Sequence, residues 1–301
     1  MPINSPDIFC YEIKVEPVAS IASNDKYDAI GDILPIAGTN CKSSVFTTGV
    51  LDDYPGATAA YSLRRLSSSW TGPAIRVKRQ FTFDELDIGF KENGDLDTEA
   101  MTDFSEGDAA LFVDTLYDQT GNGFHAVSQQ NFGPRIVNSN GTIVSLNSKV
   151  SMVFDGLNDE TLSTNLLTEF DNTDFLVSVV YGEGGGSRAF CMGSTGSVPR
   201  LYFQNDEWSY NTHHTIQWTD VTAQNVMQYQ VNGASQEAFS DNVTLGTATE
   251  AQVDFTPTGF ILGRIGTATF MDGKLQEVII YTSNEVDNRI GIYENMNSYW
   301  L

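Results

Sequence analysis

The sequence has few cysteines and few basic residues. Its three cysteines, Cys10, Cys41 and Cys191, are odd in number and far apart, which argues against a disulfide framework and a cysteine metal site. Only 16 of the 301 residues are Lys or Arg, against 39 Asp or Glu, so the formal net charge is −23. A surface this acidic repels nucleic acid and anionic lipid. Nucleic-acid binding is therefore disfavoured.

The chain also lacks long apolar segments. No apolar run approaches the roughly 20 residues of a membrane span, so membrane insertion is not expected. The first seven residues, Met-Pro-Ile-Asn-Ser-Pro-Asp, contain neither the basic segment nor the apolar core of a secretion signal. We therefore expect synthesis and assembly in a cytoplasm.

The most informative stretch is 117–125, which reads Tyr-Asp-Gln-Thr-Gly-Asn-Gly-Phe-His. It follows a run over 110–116 whose alternation is typical of a strand. Thr-Gly and Asn-Gly supply backbone positions with positive φ, and Asp118 can cap a turn through its side chain. From these residues alone, the stretch predicts a structural corner at the end of a strand.

The same stretch resembles the signature Tyr-Asp-Gln-Ser-Gly-Asn-Gly-Asn-His of the arabinofuranosidase B catalytic domain, a concanavalin A-like jelly roll. It is also similar to laminin G-like modules of tailed-phage virion proteins, where runs like 60–66, 73–79 and 134–137 accompany it in the same order. The phage-type match is the closer of the two. The motif residues that carry the resemblance are Tyr117, Asp118, Gln119, Gly121, Asn122, Gly123 and His125.

The C-terminal half extends the resemblance. A Phe-Asp-Gly turn at 154–156 and the strand-like runs over 259–281 resemble laminin G-like jelly rolls. The apolar run 175–181 predicts a strand covered on both faces, and Asn232-Gly233 predicts a hairpin. A closing helix capped by Ser283 should lie across the sandwich or meet another subunit. The residues that define its expected buried face are Val286, Ile290, Tyr293, Asn297 and Trp300.

The predicted fold class is all-β, a concanavalin A-like jelly-roll sandwich with an N-terminal arm and a C-terminal helix. We divide the chain into an N-terminal arm or attachment segment, 1–52, and the jelly roll with its closing helix, 53–301. Proline-interrupted pieces in 1–52 fit an extended arm or edge strands, and a first pair of sandwich strands is the alternative. A helix is expected over 53–68, where Ala57, Ala60, Leu63 and Leu66 recur at helical spacing.

Charged residues cluster in two places. The strand-like run 74–80 carries Arg76, Lys78 and Arg79, which could grip an anionic sugar. In so acidic a chain we instead expect them to pair with nearby carboxylates. Residues 84–107 are acidic, with a short helix expected at 98–104. Their carboxylate density leaves calcium open, but the spacing of a calcium-binding loop is absent, so no cofactor is expected.

The resemblance also implies where catalytic residues would lie. The nucleophilic Glu of arabinofuranosidases falls at or near Gln204, and the position of the acid, within 262–268, has no acidic residue. A glycosidase needs two carboxyl groups, so these departures imply that the chain is not an enzyme. The alternative is a glycoside hydrolase of arabinofuranosidase type that uses Asp206, Glu207 or Asp272.

Aromatic and amide residues are concentrated at 200–218. Sugars are held by aromatic faces and by amides and carboxylates that bond to hydroxyls. The candidate carbohydrate-binding residues are Tyr202, Gln204, Asp206, Trp208 and Tyr210. One alternative is packing, since half of these side chains would face a jelly-roll core in any case. A protein interface is an equal alternative, because Tyr and Trp also anchor protein contacts.

The resulting hypothesis is a non-enzymatic phage virion structural protein, namely a head or tail fibre, spike or decoration subunit. The arm would attach to other virion proteins, and the lectin-like jelly roll would contact host glycans. We expect a homo-oligomer located on the virion. The glycoside hydrolase is the alternative hypothesis, and a cellular lectin-like adhesin is the third.

Overall fold

The structure is a computed structural model. It describes residues 45–128, 133–157, 162–164, 174–182, 190–194, 200–204, 207–210, 214–217, 223–249, 260–265 and 269–301. The chain divides into two compact units, Met1–Val45 and Phe46–Leu301, and the fold described below is that of the second unit. Most of the predicted arm, 1–52, lies outside the described residues, and the proposed domain division stays a prediction.

The described part of the chain contains three helices and 22 strands. The helices are α1 (Val50–Asp53), α2 (Thr98–Ser105) and α3 (Arg289–Trp300). The strands are β1 (Ala59–Ser62), β2 (Ile75–Arg79), β3 (Glu85–Ile88), β4 (Leu111–Leu116), β5 (Ala126–Ser128), β6 (Arg135–Val137), β7 (Ser145–Leu146), β8 (Lys149–Val150), β9 (Met152–Asp155), β10 (Leu162–Thr164), β11 (Phe175–Gly182), β12 (Phe190–Ser194), β13 (Arg200–Gln204), β14 (Glu207–Tyr210), β15 (His214–Gln217), β16 (Asn225–Asn232), β17 (Ser235–Ser240), β18 (Val243–Thr249), β19 (Phe260–Leu262), β20 (Arg264–Ile265), β21 (Thr269–Phe270) and β22 (Asp272–Tyr281). None of the described helices is long and apolar enough to cross a membrane.

The strands form an antiparallel β-sandwich. One series of hydrogen-bonded neighbours runs β18-β17-β16-β11-β22-β1. A second runs β3-β2-β4-β5-β10-β19-β12-β13-β14-β15. β9 and β6 join β22 to β4, so that 18 strands share one continuous sheet. The predicted all-β fold class with its C-terminal helix is confirmed.

The centre of the core is β11, all eight of whose residues are buried. The predicted strand covered on both faces is therefore confirmed. Helix α3 packs against β11 and β16 and covers one of those faces. On that face Gln228 donates to Ser178 Oγ at 3.1 Å and to the Arg289 carbonyl at 3.0 Å. A polar contact thus fixes the start of α3 on the sheet.

The helix predicted over 53–68 is wrong. α1 ends at Asp53, because Pro55 and Gly56 follow and Gly56 has a left-handed φ of +99°. The next residues form β1, which pairs with β22. Of the apolar residues at helical spacing, Ala60 lies in β1, all of whose residues are buried, and Leu63 and Leu66 follow it as buried residues outside any helix.

The C-terminal helix exists but begins later than predicted. α3 starts at Arg289 after the cap position Asn288, while the Ser283 hydroxyl donates to Glu285 instead. Val286 and Ile290 of the expected face are 43% and 46% exposed. The buried residues of α3 are Arg289, Ile292, Met296 and Trp300.

The basic strand and the acidic region are as predicted. Arg76 binds Asp87 through two hydrogen bonds of 2.7 and 3.0 Å, and Lys78 Nζ lies 2.6 Å from Asp114. The hydrogen bond to Asp87 is the main reason that the pKa of Arg76 is raised. Arg79 also pairs with a carboxylate. The basic side chains of β2 are therefore neutralised locally, and α2 confirms the predicted short helix.

Candidate functional site

The signature stretch forms the corner that follows β4. Asp118 is fully buried, and its Oδ1 accepts from the backbone N–H of Ala60 at 3.0 Å and of Thr120 at 3.1 Å. Its Oδ2 accepts from the backbone N–H of Phe124 at 3.1 Å. One carboxylate thus closes the turn and ties it to β1.

Gln119 makes a second set of bonds to a neighbouring segment. Its Oε1 accepts from the Leu66 N–H at 2.9 Å, and its Nε2 donates to the carbonyls of Ser62 and Arg64 at 3.0 Å each. Its side chain is 2% exposed. Because Gln119 bonds three backbone groups of the segment 62–66, it holds the chain after β1 against the corner.

The remaining motif residues shape the turn. Gly121 and Gly123 have left-handed φ values of +86° and +84°, which favour glycine. His125 Nδ1 accepts from the Asp118 N–H at 3.1 Å, and its ring lies edge-on to Tyr117 at 5.0 Å. Burial and a hydrogen bond to Asp87 raise the pKa of Tyr117 to about 12. Every motif side chain described here serves the backbone or a neighbouring side chain.

A cavity of about 660 Å³ lies beside this corner, and we refer to it as the corner cavity. This volume falls in the range of about 300–1,000 Å³ that is usual for small-molecule sites. Its lining residues are Leu51, Pro55, Gly56, Ala57, Thr58, Ser67, Ser69, Gln119, Thr120, Asn122 and Phe124.

A pair of carboxylates lies elsewhere on the sandwich, at the start of β22. The antiparallel register places Asp272 directly opposite Asp155 of β9. Met152 and Phe154 of β9 are buried in the core, so Asp155 alternates with them and lies on the opposite face. Directly opposed residues project from the same face, with Cβ atoms about 4.5–5.5 Å apart. The two carboxylates therefore face each other on the outer side of this sheet.

Two local features set the environment of the carboxylate pair. Gly156 has a φ of +70°, and a Cβ there would lie 2.8 Å from Asp272 Cβ, so only glycine permits this close approach. Asp155 Oδ1 accepts from the Leu157 N–H at 2.9 Å. Burial, and after it the charge of Asp155, raises the pKa of the Asp272 carboxyl above its usual value of 3.8.

Sequence reasoning identified Asp272 but missed Asp155. A signal for the pair is present, since each aspartate is followed by glycine after a hydrophobic residue, in Phe154-Asp-Gly and Met271-Asp-Gly. Whether the two Asp-Gly dipeptides lie opposite each other depends on the strand register, which the residues themselves do not specify.

The predicted carbohydrate-binding residues lie on two neighbouring strands. Tyr202 and Gln204 are on β13, Trp208 and Tyr210 are on β14, and Asp206 lies outside the described residues. The register opposes Tyr202 to Ser209 and Phe203 to Trp208. Tyr202 and Gln204 are thus on one face of the sheet, and Trp208 and Tyr210 on the other. β13 and β14 are paired neighbours, but they do not place all of these residues on one face of the sheet. The sugar site stays a prediction.

No group of three or more His, Cys, Asp or Glu side chains that could hold a metal ion occurs in the part of the chain that the structure describes. The expectation of no cofactor, with calcium left open, stays a prediction. The same holds for the homo-oligomer, the partners of the arm and the location on a virion.

No protein-family model and no curated protein matches this chain. Among solved structures it is similar to a GH54 α-L-arabinofuranosidase soaked with a cyclic sulfate inhibitor (TM-score 0.66). It is also similar to a GH54 α-L-arabinofuranosidase mutant soaked with 4-nitrophenyl α-L-arabinofuranoside (0.65), and to an arabinofuranosidase complexed with arabinofuranosyl-α-1,2-xylobiose (0.63). Each is 14% identical, and each match covers 83% of this chain and 64% of the other. The chain therefore spans less than two thirds of the length of these enzymes, and at this identity the likeness shows the fold.

These comparisons correct the functional hypothesis. The structures that resemble this chain are glycoside hydrolases, which contradicts both the non-enzymatic phage virion protein and the prediction that the chain is not an enzyme. Of the two resemblances noted in the sequence, the one to the arabinofuranosidase fold is supported, and the link to phage jelly rolls is not. The findings favour the alternative hypothesis, a glycoside hydrolase of arabinofuranosidase type.

Proposed function

We propose that this chain is a glycoside hydrolase that cleaves α-L-arabinofuranosyl groups from a glycan. The observation that carries the proposal is the facing pair of Asp155 and Asp272, on a sandwich similar to that of three arabinofuranosidases. Glycoside hydrolysis requires two carboxyl groups that flank the scissile bond. Asp272 is one of the three carboxylates that the sequence suggested for this activity.

The pair supplies two different roles. Asp272 is the proton donor, because its raised pKa keeps the carboxyl protonated to higher pH than an ordinary aspartate. Asp155 is the nucleophile. Opposed residues have Cβ atoms about 4.5–5.5 Å apart, and each carboxyl carbon of an aspartate is bonded to its Cβ, so the two carboxyl groups can adopt the spacing of about 5–5.5 Å that retaining enzymes use. We therefore expect retention of configuration at the anomeric carbon.

The reaction proceeds in two displacements. Asp155 attacks the anomeric carbon, the glycosidic C–O bond breaks, and the leaving oxygen takes the proton of Asp272. Asp272, now a carboxylate, removes a proton from water. The resulting hydroxide attacks the anomeric carbon of the glycosyl ester, which frees Asp155 and leaves Asp272 protonated again.

The test uses 4-nitrophenyl α-L-arabinofuranoside as substrate and nitrophenolate release as the assay. We expect turnover by the unmodified chain. In Asp272→Asn, hydrolysis of arabinofuranosyl-xylobiose should fall by about 10²–10⁴-fold, because the xylobiose oxygen, unlike nitrophenolate, leaves poorly without the proton. Asp155→Asn should lose at least as much. Asp108→Asn, at an exposed aspartate outside the pair, is the matched control and should keep the full rate. Proton NMR of the first-formed sugar reports whether configuration is retained.

Two results would overturn parts of this proposal. Absence of release from both the nitrophenyl substrate and arabinofuranosyl-xylobiose by the folded chain would contradict the hydrolase function. Turnover that survives in both asparagine variants would leave the function standing and show that another pair of carboxyl groups catalyses it.

A further inference from the structure

The corner cavity is distinct from the carboxylate pair. None of its lining residues belongs to β9 or β22. Thr58 marks its position, since the Thr58 N–H donates to the carbonyl of Ile280 and its hydroxyl contacts the hydroxyl of Thr282 at 2.7 Å. Asp272 is at the opposite end of β22, nine strand residues from Tyr281. With a rise of about 3.3 Å per residue, the cavity and the carboxylate pair are about 25–30 Å apart.

The lining of the corner cavity carries no charged side chain among its described residues. The lining has no cation that could neutralise an anionic ligand, and the net negative charge of the chain also repels such a ligand. An anionic ligand would lose hydration without gaining a counter-charge, so this lining favours a neutral ligand over an anionic one.

Two side chains of the wall, Asn122 and Ser69, keep acceptor atoms that no described donor uses. Asn122 uses its Nδ2 to donate to the carbonyls of Ala57 and Thr58 at 3.3 and 3.0 Å. Its Oδ1 accepts no hydrogen bond from any residue that the structure describes. The Ser67 hydroxyl donates to Asp52, so Ser69 must donate to Ser67 and keeps only acceptor capacity. These two acceptors favour a ligand that carries hydrogen-bond donors such as hydroxyl groups.

The wall is also held in place before any ligand binds. Gln119 is fixed by three hydrogen bonds to backbone groups, and the Thr120 hydroxyl donates to the buried Asp118. The half-buried Phe124 adds an aromatic side chain, and its backbone is held by Asp118 and by the Tyr61 hydroxyl. A wall fixed in this way binds with little loss of conformational freedom.

We propose that the corner cavity binds a neutral sugar unit, as a second glycan-binding site separate from the carboxylate pair. Sugar hydroxyls supply the donors that Asn122 Oδ1 and Ser69 Oγ accept, and the C–H face of a sugar ring packs on Phe124. This inference deepens the proposed function, since a second contact would hold a glycan on the protein. Its argument does not require that the chain hydrolyse the glycan.

The test measures binding without turnover. Xylobiose and L-arabinose serve as neutral probes, D-glucuronate as the anionic comparison, and isothermal titration with saturation-transfer NMR reports affinity. We expect a neutral probe to bind at least tenfold more tightly than glucuronate. Ser69→Trp, which places bulk at the exposed rim, and Asn122→Leu, which removes the acceptor, should each weaken binding at least tenfold.

Two controls separate this proposal from misfolding and from the hydrolase proposal. Ser68→Trp adds the same bulk at a neighbouring exposed serine outside the lining and should bind as the unmodified chain does. Adding Ser69→Trp to Asp272→Asn should weaken xylobiose binding by the same factor as it does in the unmodified chain, because the cavity is remote from the carboxylate pair. Thermal melting confirms that each variant is folded.

The proposal is overturned if folded Ser69→Trp or Asn122→Leu binds the neutral probe within twofold of the unmodified chain. It is overturned equally if glucuronate binds as tightly as the neutral probes, or if none of them binds at millimolar concentration. A chain that binds xylobiose through this cavity but releases no arabinose would contradict only the hydrolase function.

Discussion

Replacing Glu277 with glutamine should destabilise the protein by about 3–5 kcal/mol, the usual cost of removing one partner from a buried ion pair. Glu277 is 1% exposed and lies 2.7 Å from Nε of Arg64, which is itself 6% exposed. It also accepts from Arg64 Nη2 and Trp300 Nε1 at 2.9 Å and from Ser62 Oγ at 2.7 Å. Glutamine would leave the buried guanidinium without a counter-charge.

The structure also indicates where within this range the value should fall. Arg64 keeps a hydrogen bond to Asn295 Oδ1 at 2.8 Å and a contact with the Tyr299 ring at 4.8 Å, and both partly stabilise its charge. The amide of glutamine, however, offers one acceptor oxygen in place of two, and its NH₂ group faces N–H donors. We therefore expect a loss near the lower end, about 3 kcal/mol.

Urea denaturation followed by circular dichroism measures this loss as a shift in the midpoint at unchanged slope. Glu99→Gln is the control, because Glu99 is 85% exposed in its ion pair with Lys91 and should cost less than about 1 kcal/mol. A double-mutant cycle with Arg64→Met should show that Glu277→Gln costs much less once the guanidinium is gone. An equal cost in both backgrounds, or a loss below about 1 kcal/mol, would refute the reasoning.

Two further predictions follow from single carboxylates. Asp118→Asn should lower stability by about 1–3 kcal/mol, because one oxygen that accepts backbone N–H bonds becomes an NH₂ donor, and thermal melting against Asp108→Asn checks this. Asp272 has a raised pKa, so the native state binds its proton more tightly than the unfolded state, and stability declines as pH rises through that pKa. Asp155 faces it, and Lys274, whose Nζ donates to the Ser145 carbonyl, lies next along the same face. Between about pH 4 and about pH 8 the urea midpoint should therefore fall less in Asp272→Asn than in the unmodified chain. An equal fall in the two proteins would contradict the prediction.

Local patterns in the sequence predicted those elements whose backbone requirements are local. The alternation over 110–116 and the apolar run 175–181 correspond to β4 and β11, and the basic run corresponds to β2. Asn232-Gly233 predicted the hairpin between β16 and β17, where Gly233 has a φ of +57°. In each case the residues themselves favour the conformation that they adopt.

Tertiary burial misled the sequence reasoning elsewhere. Leu63 and Leu66 are fully buried, yet they follow a strand and not a helix, because β22 and the corner cover that segment from different sides. Val286, before α3, and Ile290, within it, face solvent, whereas the charged Arg289 is buried over the Phe239 ring at 3.7 Å. A spacing rule cannot separate such cases, since it assumes that each apolar side chain faces the core.

The candidate sites depend on contacts between distant segments. Asp155 and Asp272 meet only through the register of β9 with β22, and a shift of one residue would move one of them to the opposite face. The corner cavity likewise needs the segment after α1, the chain after β1 and the corner itself. The two Asp-Gly dipeptides mark the carboxylates but not their pairing, and no local pattern specifies the cavity.

The signature stretch itself reports the fold and not the chemistry. Asp118 and Gln119 use their side-chain atoms on backbone groups of the turn, of β1 and of the chain that follows β1, so a jelly roll of this shape requires them whether or not it acts on glycans. A chain can therefore share the signature with arabinofuranosidases while its acidic residues differ from theirs. The proposed mechanism is decided by whether Asp155 attacks a sugar and Asp272 transfers a proton, because the corner can perform neither step.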